Sequence, residues 1–457
     1  MQWRAVNPAT EETVREVDGM SDPDVGRAVE RAVTAQRDWR ARGVEARAEH
    51  LHELGALLRT NQDRYAHLIT EEMGKPIGQA RAEISKSAWA CEHYADHGPR
   101  HLEPEVVATP DVEGKTYVAY RPLGVILAVM PWNFPFWQVF RLAAPSLLAG
   151  NGVLLKHASN VPGSALALEE VFREARLPEG LFQSLIIDAE QAGRLLERPE
   201  IRGVTLTGSV EAGRAVASRA GGALKKTVLE LGGSDPYLIL EDADLGHAVD
   251  VSARARLVNS GQSCIAGKRF IVVESRRAAF EERLVEAFRQ VAVGDPMDPD
   301  TDVGPLARGD LREEVHDQVR GSLEQGARLL LGGTIPEGQG FYYPPTVISD
   351  VSPGMPAYDE EVFGPVAAII EVADEAEAVA VANDTPFGLG AAVFTEDAAR
   401  GQRIAEQELE AGSCFVNVEV RSDPRLPFGG VKDSGYGREL ASFGIREFVN
   451  VKSIRVD

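Results

Sequence analysis

Cysteine is scarce in this chain: its 457 residues include three, Cys91, Cys264 and Cys414. They lie far apart with no CxxC spacing, which excludes a disulfide framework and a cysteine-based zinc site and fits a reducing compartment. Positive charge is also in deficit, with 48 lysines and arginines against 70 acidic residues and a net charge of -22. Surplus basic residues are what hold phosphate backbones and anionic lipid surfaces, so neither a nucleic acid nor a membrane is expected as a partner. No apolar run approaches the roughly 20 residues of a membrane span, and no basic segment precedes an apolar one in Met1-Gln-Trp-Arg-Ala-Val-Asn-Pro; the expected location is the cytoplasm. His93, His97 and His101 recur at helical spacing, but no carboxylate accompanies them and Gly98-Pro99 is expected to break the helix before His101. No metal site is assigned.

What is present is an apolar content of 44% in a chain longer than one core usually organises, so two or three lobes are expected. The first part is helical. Ser21 caps a segment with Val25, Ala28, Val29, Ala32 and Val33 at helical spacing. Leu51, Leu54 and Leu58 mark a second helix, and Ile77, Ala80, Ile84, Ala88 and Cys91 follow one face of a later one, making Cys91 a packing residue. From about Glu103 to Pro122 the pattern turns to an extended, hairpin-like excursion. Beyond Gly124, apolar runs at Val125 to Met130, Val153 to Leu155, Ser184 to Ile187, Val204 to Thr207 and Thr227 to Leu231 alternate with helical segments, the pattern of a doubly wound parallel sheet.

Ligands of such sheets bind beyond the carboxyl ends of the strands. Those ends carry Pro131-Trp-Asn-Phe-Pro135, Lys156, Thr207-Gly-Ser209 with Gly213 following, and Glu230-Leu-Gly-Gly233. A dinucleotide site is implied, although the sequence lacks GxGxxG and offers only a GxxxxG turn from Gly208 to Gly213. In the second lobe, Asn259-Ser-Gly-Gln-Ser-Cys264-Ile-Ala-Gly-Lys268 sets one cysteine between Gly261 and Gly267, which would leave room there for a bound carbonyl. Cys264 is the candidate nucleophile. An aldehyde attacked by that thiol needs donors for its oxyanion, for which Asn133 and the Cys264 amide are suited, and a carboxylate to activate water against the resulting thioester, for which Glu230 is suited.

Five motifs then converge: Pro131-Trp-Asn-Phe-Pro135, Leu229-Glu-Leu-Gly-Gly233, Gly261-Gln-Ser-Cys264, Glu361-Val-Phe-Gly-Pro365 and Pro427-Phe-Gly-Gly430. Over nearly the whole chain they resemble the successive motifs of the aldehyde dehydrogenase superfamily. The resemblance implies an α/β fold with a Rossmann-type cofactor domain, an α/β catalytic domain and a small oligomerisation β-element. It implies Cys264 as nucleophile, Glu230 as general base and Asn133 as oxyanion donor. It also assigns Trp132, Lys156, Gly208, Ser209, Glu361 and Phe363 to the cofactor, with Gly213 in the turn.

Where many relatives that prefer NAD carry a glutamate after this lysine, Lys156-His-Ala-Ser159 has serine. A carboxylate there would repel a 2'-phosphate, so NADP is expected to be preferred over NAD. Retention of Glu230 favours hydrolysis over transfer to coenzyme A. Pro131-Trp-Asn-Phe-Pro-Phe-Trp137-Gln-Val-Phe-Arg141 is similar to bacterial succinate-semialdehyde dehydrogenases, and that likeness implies a substrate with a distal carboxylate. Arg141 would grip it with two parallel hydrogen bonds beside Trp137, unless it serves a structural ion pair, and Arg421 and Ser422 are further candidates. Position 266 is alanine, so no neighbouring cysteine offers a disulfide switch.

The expected division is a cofactor domain of 1–103 and 123–232, a catalytic domain of 233–430, an oligomerisation element of 104–122 and 447–457, and a return segment of 431–446. The tail from Phe448 to Val456 reads as an edge strand, which implies a homodimer or homotetramer. Oxidation of glutarate semialdehyde or of a broad aliphatic range is the alternative activity. A non-catalytic protein retaining the fold is the alternative class.

Overall fold

The Ser21 hydroxyl accepts from the Asp24 amide at 3.4 Å, and the helix Asp22–Ala41 starts there, burying Val25, Ala28, Val29 and Ala32. Helices Val44–Thr60, Gln62–Met73 and Ile77–His101 follow in a computed structural model that describes residues 2–110 and 114–457. Two details differ from the expectation here. Gln2–Val6 pairs with Thr13–Asp18 in an antiparallel hairpin ahead of the segments read as helical. The helix also runs through Pro99 to His101: two residues remain beyond the proline, and the Pro99 carbonyl closes the end by accepting from the Leu102 amide at 3.0 Å. Cys91 is wholly buried in the core those helices share.

The first large sheet has six strands, ordered Gly435–Tyr436, Lys226–Glu230, Ile201–Thr207, Val125–Val129, Gly152–Lys156 and Phe182–Ser184. All its pairings are parallel except that of the short Gly435–Tyr436 edge. Val125–Val129 lies between the strand that follows it in sequence and Ile201–Thr207, so the order reverses there. That makes the crevice between Met130 and Gly208 a switch point, where a nucleotide has room. The third strand ends at Ser184, earlier than its apolar run implied, because Leu185 to Ile187 turn away toward the helix Ala189–Glu197.

A seven-stranded sheet organises the following residues in the order Arg328–Leu331, Thr346–Ser349, Val366–Val372, Gly267–Val273, Asp235–Ile239, Gly390–Phe394 and Ser413–Val416. Its inner strand Asp235–Ile239 has no clear signal in the sequence; the preceding Gly-Gly and an internal Pro236 disguise it as a turn. A third, three-stranded sheet joins Val449–Val456 to Lys115–Pro122 and Glu105–Val106, all antiparallel. The part of the expected excursion at 111–113 lies outside the described residues. No helix among the described residues is long and apolar enough to cross a membrane.

Candidate active site

Cys264 stands in the loop that leads into Gly267–Val273, and the backbone there is held from several sides. Asn259, Ser260 and Gly261 take successive left-handed φ angles of 54°, 55° and 78°. Such a run is strained for the two residues that carry side chains, and hydrogen bonds hold it. The Asn259 amide nitrogen donates to the carbonyls of Asn133 at 2.8 Å and Gln262 at 3.0 Å. Arg256 donates to the carbonyls of Gly261 and Gly364, each at 2.6 Å. Lys268 donates to those of Ser263 at 2.9 Å and Cys264 at 2.7 Å. Four successive carbonyls are thus turned toward the protein.

The flanking glycines have a different purpose from the one their positions suggested. A Cβ on Gly261 would lie 2.3 Å from the Gly364 backbone, and one on Gly267 would lie 3.1 Å from the Tyr237 ring. They make room for neighbouring protein, the loop after Glu361 in one case and a core aromatic in the other. Gly213 is corrected in the same way: its missing side chain admits Leu231, which a Cβ would approach to 2.6 Å, so it serves helix-to-strand packing. Gly232 is the glycine that faces the cleft, where a Cβ would collide with Glu361 Oε2.

Asn133 is buried in the loop between Val125–Val129 and the helix Trp137–Ala149. Its Oδ1 accepts from Gln138 Nε2 at 3.1 Å and its Nδ2 donates to the Gln262 carbonyl at 3.1 Å. One Nδ2 hydrogen remains for a ligand. Lys75 and Glu83, both buried, pair beneath this loop; Lys75 Nζ donates to the Asn133 carbonyl at 2.8 Å, and Glu83 Oε1 accepts from the amides of Phe136 at 2.8 Å and Trp137 at 3.1 Å.

Glu230 ends its strand with 1% exposure, and neither carboxylate oxygen meets a hydrogen-bond partner among the described residues. Burial holds its carboxyl well above the usual carboxylate range, Arg141 opposes that shift, and Glu439 adds to it. Burial likewise raises the Cys264 thiol to about 12, against the pull of Arg141 and Lys268. Gly429, at φ 155°, gives Glu230 its space: a Cβ there would lie 2.7 Å from Glu230 Oε1.

Two cavities reach Cys264. One, of about 370 Å³, is lined by Trp132, Asn133, Gly208, Ser209, Gly232, Glu361 and Phe363. Trp132 and Phe363 meet edge to face across it with ring centres 5.9 Å apart. Ser209 caps the helix Val210–Gly222 at its mouth, accepting from the Ala212 amide at 3.2 Å, so unpaired helix amides point into the space. Glu361 lies 3.1 Å from Lys268 Nζ, an ion pair not aligned as a hydrogen bond. Beside this cavity a second of similar volume, about 370 Å³, is lined by Lys156, Gly193 and Arg219. Arg219 had no signal in the sequence, being one exposed arginine among many on an amphipathic helix. Ser159 lies in the exposed turn after Lys156 and lines neither space.

The other opening to Cys264 is a tunnel of about 330 Å³ between Trp137, Arg141, Arg421, Ser422 and Phe428. Arg141 is less free than expected. Its Nε pairs with Glu439 and its Nη2 donates to Thr207 Oγ1 at 3.3 Å, so one edge of the guanidinium fork is committed inside the protein. Lys86 also lines the tunnel, donating to Ser422 Oγ at 2.8 Å above the Trp137 ring. The sequence reading passed over Lys86 and Glu439, since each looks like an ordinary charge beside an apolar helix face.

A thiol, a carboxylate and an amide gathered between two parallel sheets, with a cleft on one side and a tunnel on the other, describe a two-lobed α/β enzyme. The aldehyde dehydrogenase family model matches residues 2–454, and the chain belongs to that family. It is 48% identical over 453 residues to a succinate semialdehyde dehydrogenase [NAD(P)+] of Escherichia coli (strain K12), covering 99% of this chain and 97% of that protein. It is 49% identical over 454 residues to a probable succinate-semialdehyde dehydrogenase [NADP(+)] of Synechocystis, covering 99% of each. The solved succinic semialdehyde dehydrogenase of Streptococcus pyogenes in complex with NADP+ superposes with a TM-score of 0.97 at 38% identity, again over 99% of each chain.

Proposed function

We propose that this enzyme oxidises succinate semialdehyde to succinate, with NADP preferred over NAD. The observation that carries this reading is the tunnel to Cys264, whose lining includes Lys86, Arg141, Arg254 and Arg421 against the one acid Glu419. An anionic aldehyde is drawn into such a space. The names of the relatives at 48% and 49% identity support the same substrate.

The cleft has the donors and the shape for a dinucleotide: helix amides behind Ser209, the Trp132 and Phe363 rings, and a glycine at 232 that leaves Glu361 free to face a ribose. Lys156 and Arg219, with Ser159 in place of an acid, favour a 2'-phosphate beyond it. The bound nicotinamide supplies a hydride acceptor.

The remaining chemistry belongs to side chains. A thiol raised to about 12 is protonated at neutral pH, so attack requires a base, and Glu230, raised by burial, is matched to receive that proton. The Cys264 sulfur bonds the aldehyde carbon, and the carbonyl oxygen, taking the electron pair, is met by the free Asn133 Nδ2 hydrogen. Loss of hydride from that carbon leaves a thioester on Cys264. Once its first proton has passed to solvent, Glu230 takes a proton from water as it attacks; the carbon–sulfur bond breaks, that proton returns to the sulfur, and the carboxylic acid leaves. The carboxylate of the substrate is held along the tunnel by Ser422, Arg421 and the uncommitted end of Arg141, against Trp137.

We further infer a homodimer or homotetramer built through the three-stranded element, since Val449–Val456 pairs on one side only and Val451 is 59% exposed on it. Free cysteines suit a cytoplasmic setting. The test is kcat/KM across semialdehydes of increasing length and neutral aldehydes, with each cofactor. Succinate semialdehyde with NADP is expected to give the highest value; a higher value for glutarate semialdehyde or hexanal, or for NAD, overturns the corresponding half of the reading.

A further inference from the structure

We propose that Lys86 is a specificity-determining residue, its ammonium forming an ion pair with the distal carboxylate of the substrate inside the Cys264 tunnel. The inference rests on the semialdehyde reading above and names the group that enforces it.

Three buried cations around the site have a carboxylate: Lys75 has Glu83, Arg141 has Glu439, and Lys268 has Glu361, while the buried Arg256 is held by the carbonyls of Gly261 and Gly364. Taking an ammonium out of water is costly unless an acid pairs with it. Lys86, on the helix Ile77–His101, has no salt-bridge partner among the described residues. It donates to Ser422 Oγ at 2.8 Å and rests 4.4 Å from the centre of the Trp137 ring. A hydroxyl and an aromatic face orient an ammonium without neutralising it.

The charges around it do not supply the partner either. Arg141 faces it from the helix Trp137–Ala149 and Arg421 from the loop that carries Ser422, both positive. From that same loop Asp423 acts on it, but its carboxylate is 2.6 Å from Arg425. Glu83, on Lys86's own helix, is paired with Lys75. On the helix Leu245–Leu257, Arg254 is 3.3 Å from Glu419, the acid of the tunnel wall. Asp423, Glu83 and Glu419 are thus each engaged by another cation.

An unpaired ammonium that shares a tunnel with the reactive thiol therefore awaits an acid carried by the ligand. Ser422 and Trp137 fix the ammonium so that little freedom is lost when a carboxylate arrives. Burial lowers the Lys86 pKa to about 8, so the group is charged near neutrality and loses its proton in mildly alkaline solution. A bound carboxylate favours the charged form, and binding near that pH takes up a proton.

The experiment measures kcat and KM for succinate semialdehyde and for hexanal, at saturating NADP, in the wild type, Lys86→Met and Lys86→Arg, from about pH 6.5 to 9.5. In the wild type, KM for succinate semialdehyde should rise as pH passes about 8 while KM for hexanal stays level. Lys86→Met should raise the KM ratio of succinate semialdehyde to hexanal by about tenfold, the equivalent of one charge-assisted hydrogen bond, and abolish that pH dependence. Lys86→Arg should restore most of the preference and hold it to higher pH. Equal changes on both aldehydes, or a wild-type KM ratio that ignores pH, overturn the role of Lys86, and the wild-type profile decides this even if Lys86→Met fails to fold. A wild type with no preference for the semialdehyde overturns the substrate reading itself.

Discussion

Arg141 and Glu439 form an ion pair with side-chain exposures of 3% and 4%, and Glu230 lies in the field of both. The arginine thus joins the tunnel wall to the carboxylate proposed to activate water. Removing it leaves Glu439 buried without a partner next to Glu230.

Arg141→Ala is therefore expected to lower folding stability by about 3–5 kcal/mol, the usual cost of breaking a buried pair from one side. It should also reduce kcat/KM for hexanal as well as for succinate semialdehyde. Denaturant titration and the two rate constants check this. Unchanged stability would mean that the pair contributes nothing to the fold.

Glu230 has its pKa raised by burial, so the acid limb of kcat/KM should lie well above the ordinary carboxylate range, with activity lost as pH falls and the carboxylate takes up its proton. In Glu230→Gln that limb should disappear, and turnover should stall after one equivalent of NADPH has formed. Steady-state rates equal to those of the wild type would remove Glu230 from the hydrolytic step.

Gly429→Ala introduces a methyl group 2.7 Å from Glu230 Oε1 at a φ of 155°. Glu230 must give way, so kcat is expected to fall by about tenfold or more while NADP affinity stays within about twofold. Rapid-mixing kinetics should find the loss after the first equivalent of NADPH, and a normal steady-state rate would mean that the carboxylate tolerates displacement.

His157 is wholly buried, its Nε2 donating to the Pro135 carbonyl at 3.0 Å and its Nδ1 accepting from the Ala158 amide at 2.8 Å. Burial lowers its pKa from 6.5 to about 4. Between those values the unfolded chain binds a proton that the native state refuses. The contribution of His157 is complete above pH 6.5 and declines as pH falls, by roughly 3 kcal/mol at pH 4. Chemical denaturation at both pH values should give a smaller acid loss for His157→Gln than for the wild type; equal losses would mean that His157 titrates normally in the folded protein.

Much of this molecule was legible because the relevant physics is local. The alternation of apolar runs and helical segments after Gly124 describes strands whose burial on both faces leaves little choice of residue; the six-stranded sheet contains four of the five runs, while of the run Ser184 to Ile187 only Ser184 is in a strand, Phe182–Ser184. Trp132, Asn133, Glu230 and Cys264 stand in short motifs at strand ends and tight turns, where backbone geometry restricts what fits. Gly261 was equally visible, but its reason was not: the group it admits is the backbone of Gly364, a hundred residues on in the chain and adjacent only after folding.

The sequence by itself determined the family and the α/β frame, through short motifs whose residue types depend on their immediate neighbours. Tertiary structure decided how the charges pair. Lys86 meets Ser422 across 336 positions of sequence, and Arg141, on the helix Trp137–Ala149, meets Glu439 near the other end of the chain. A lysine or arginine beside an apolar helix face has the same pattern whether it points to water or into a tunnel. Whether it finds an acid there is set by packing between elements distant in the chain, which alone fixes the local dielectric and the counter-ion.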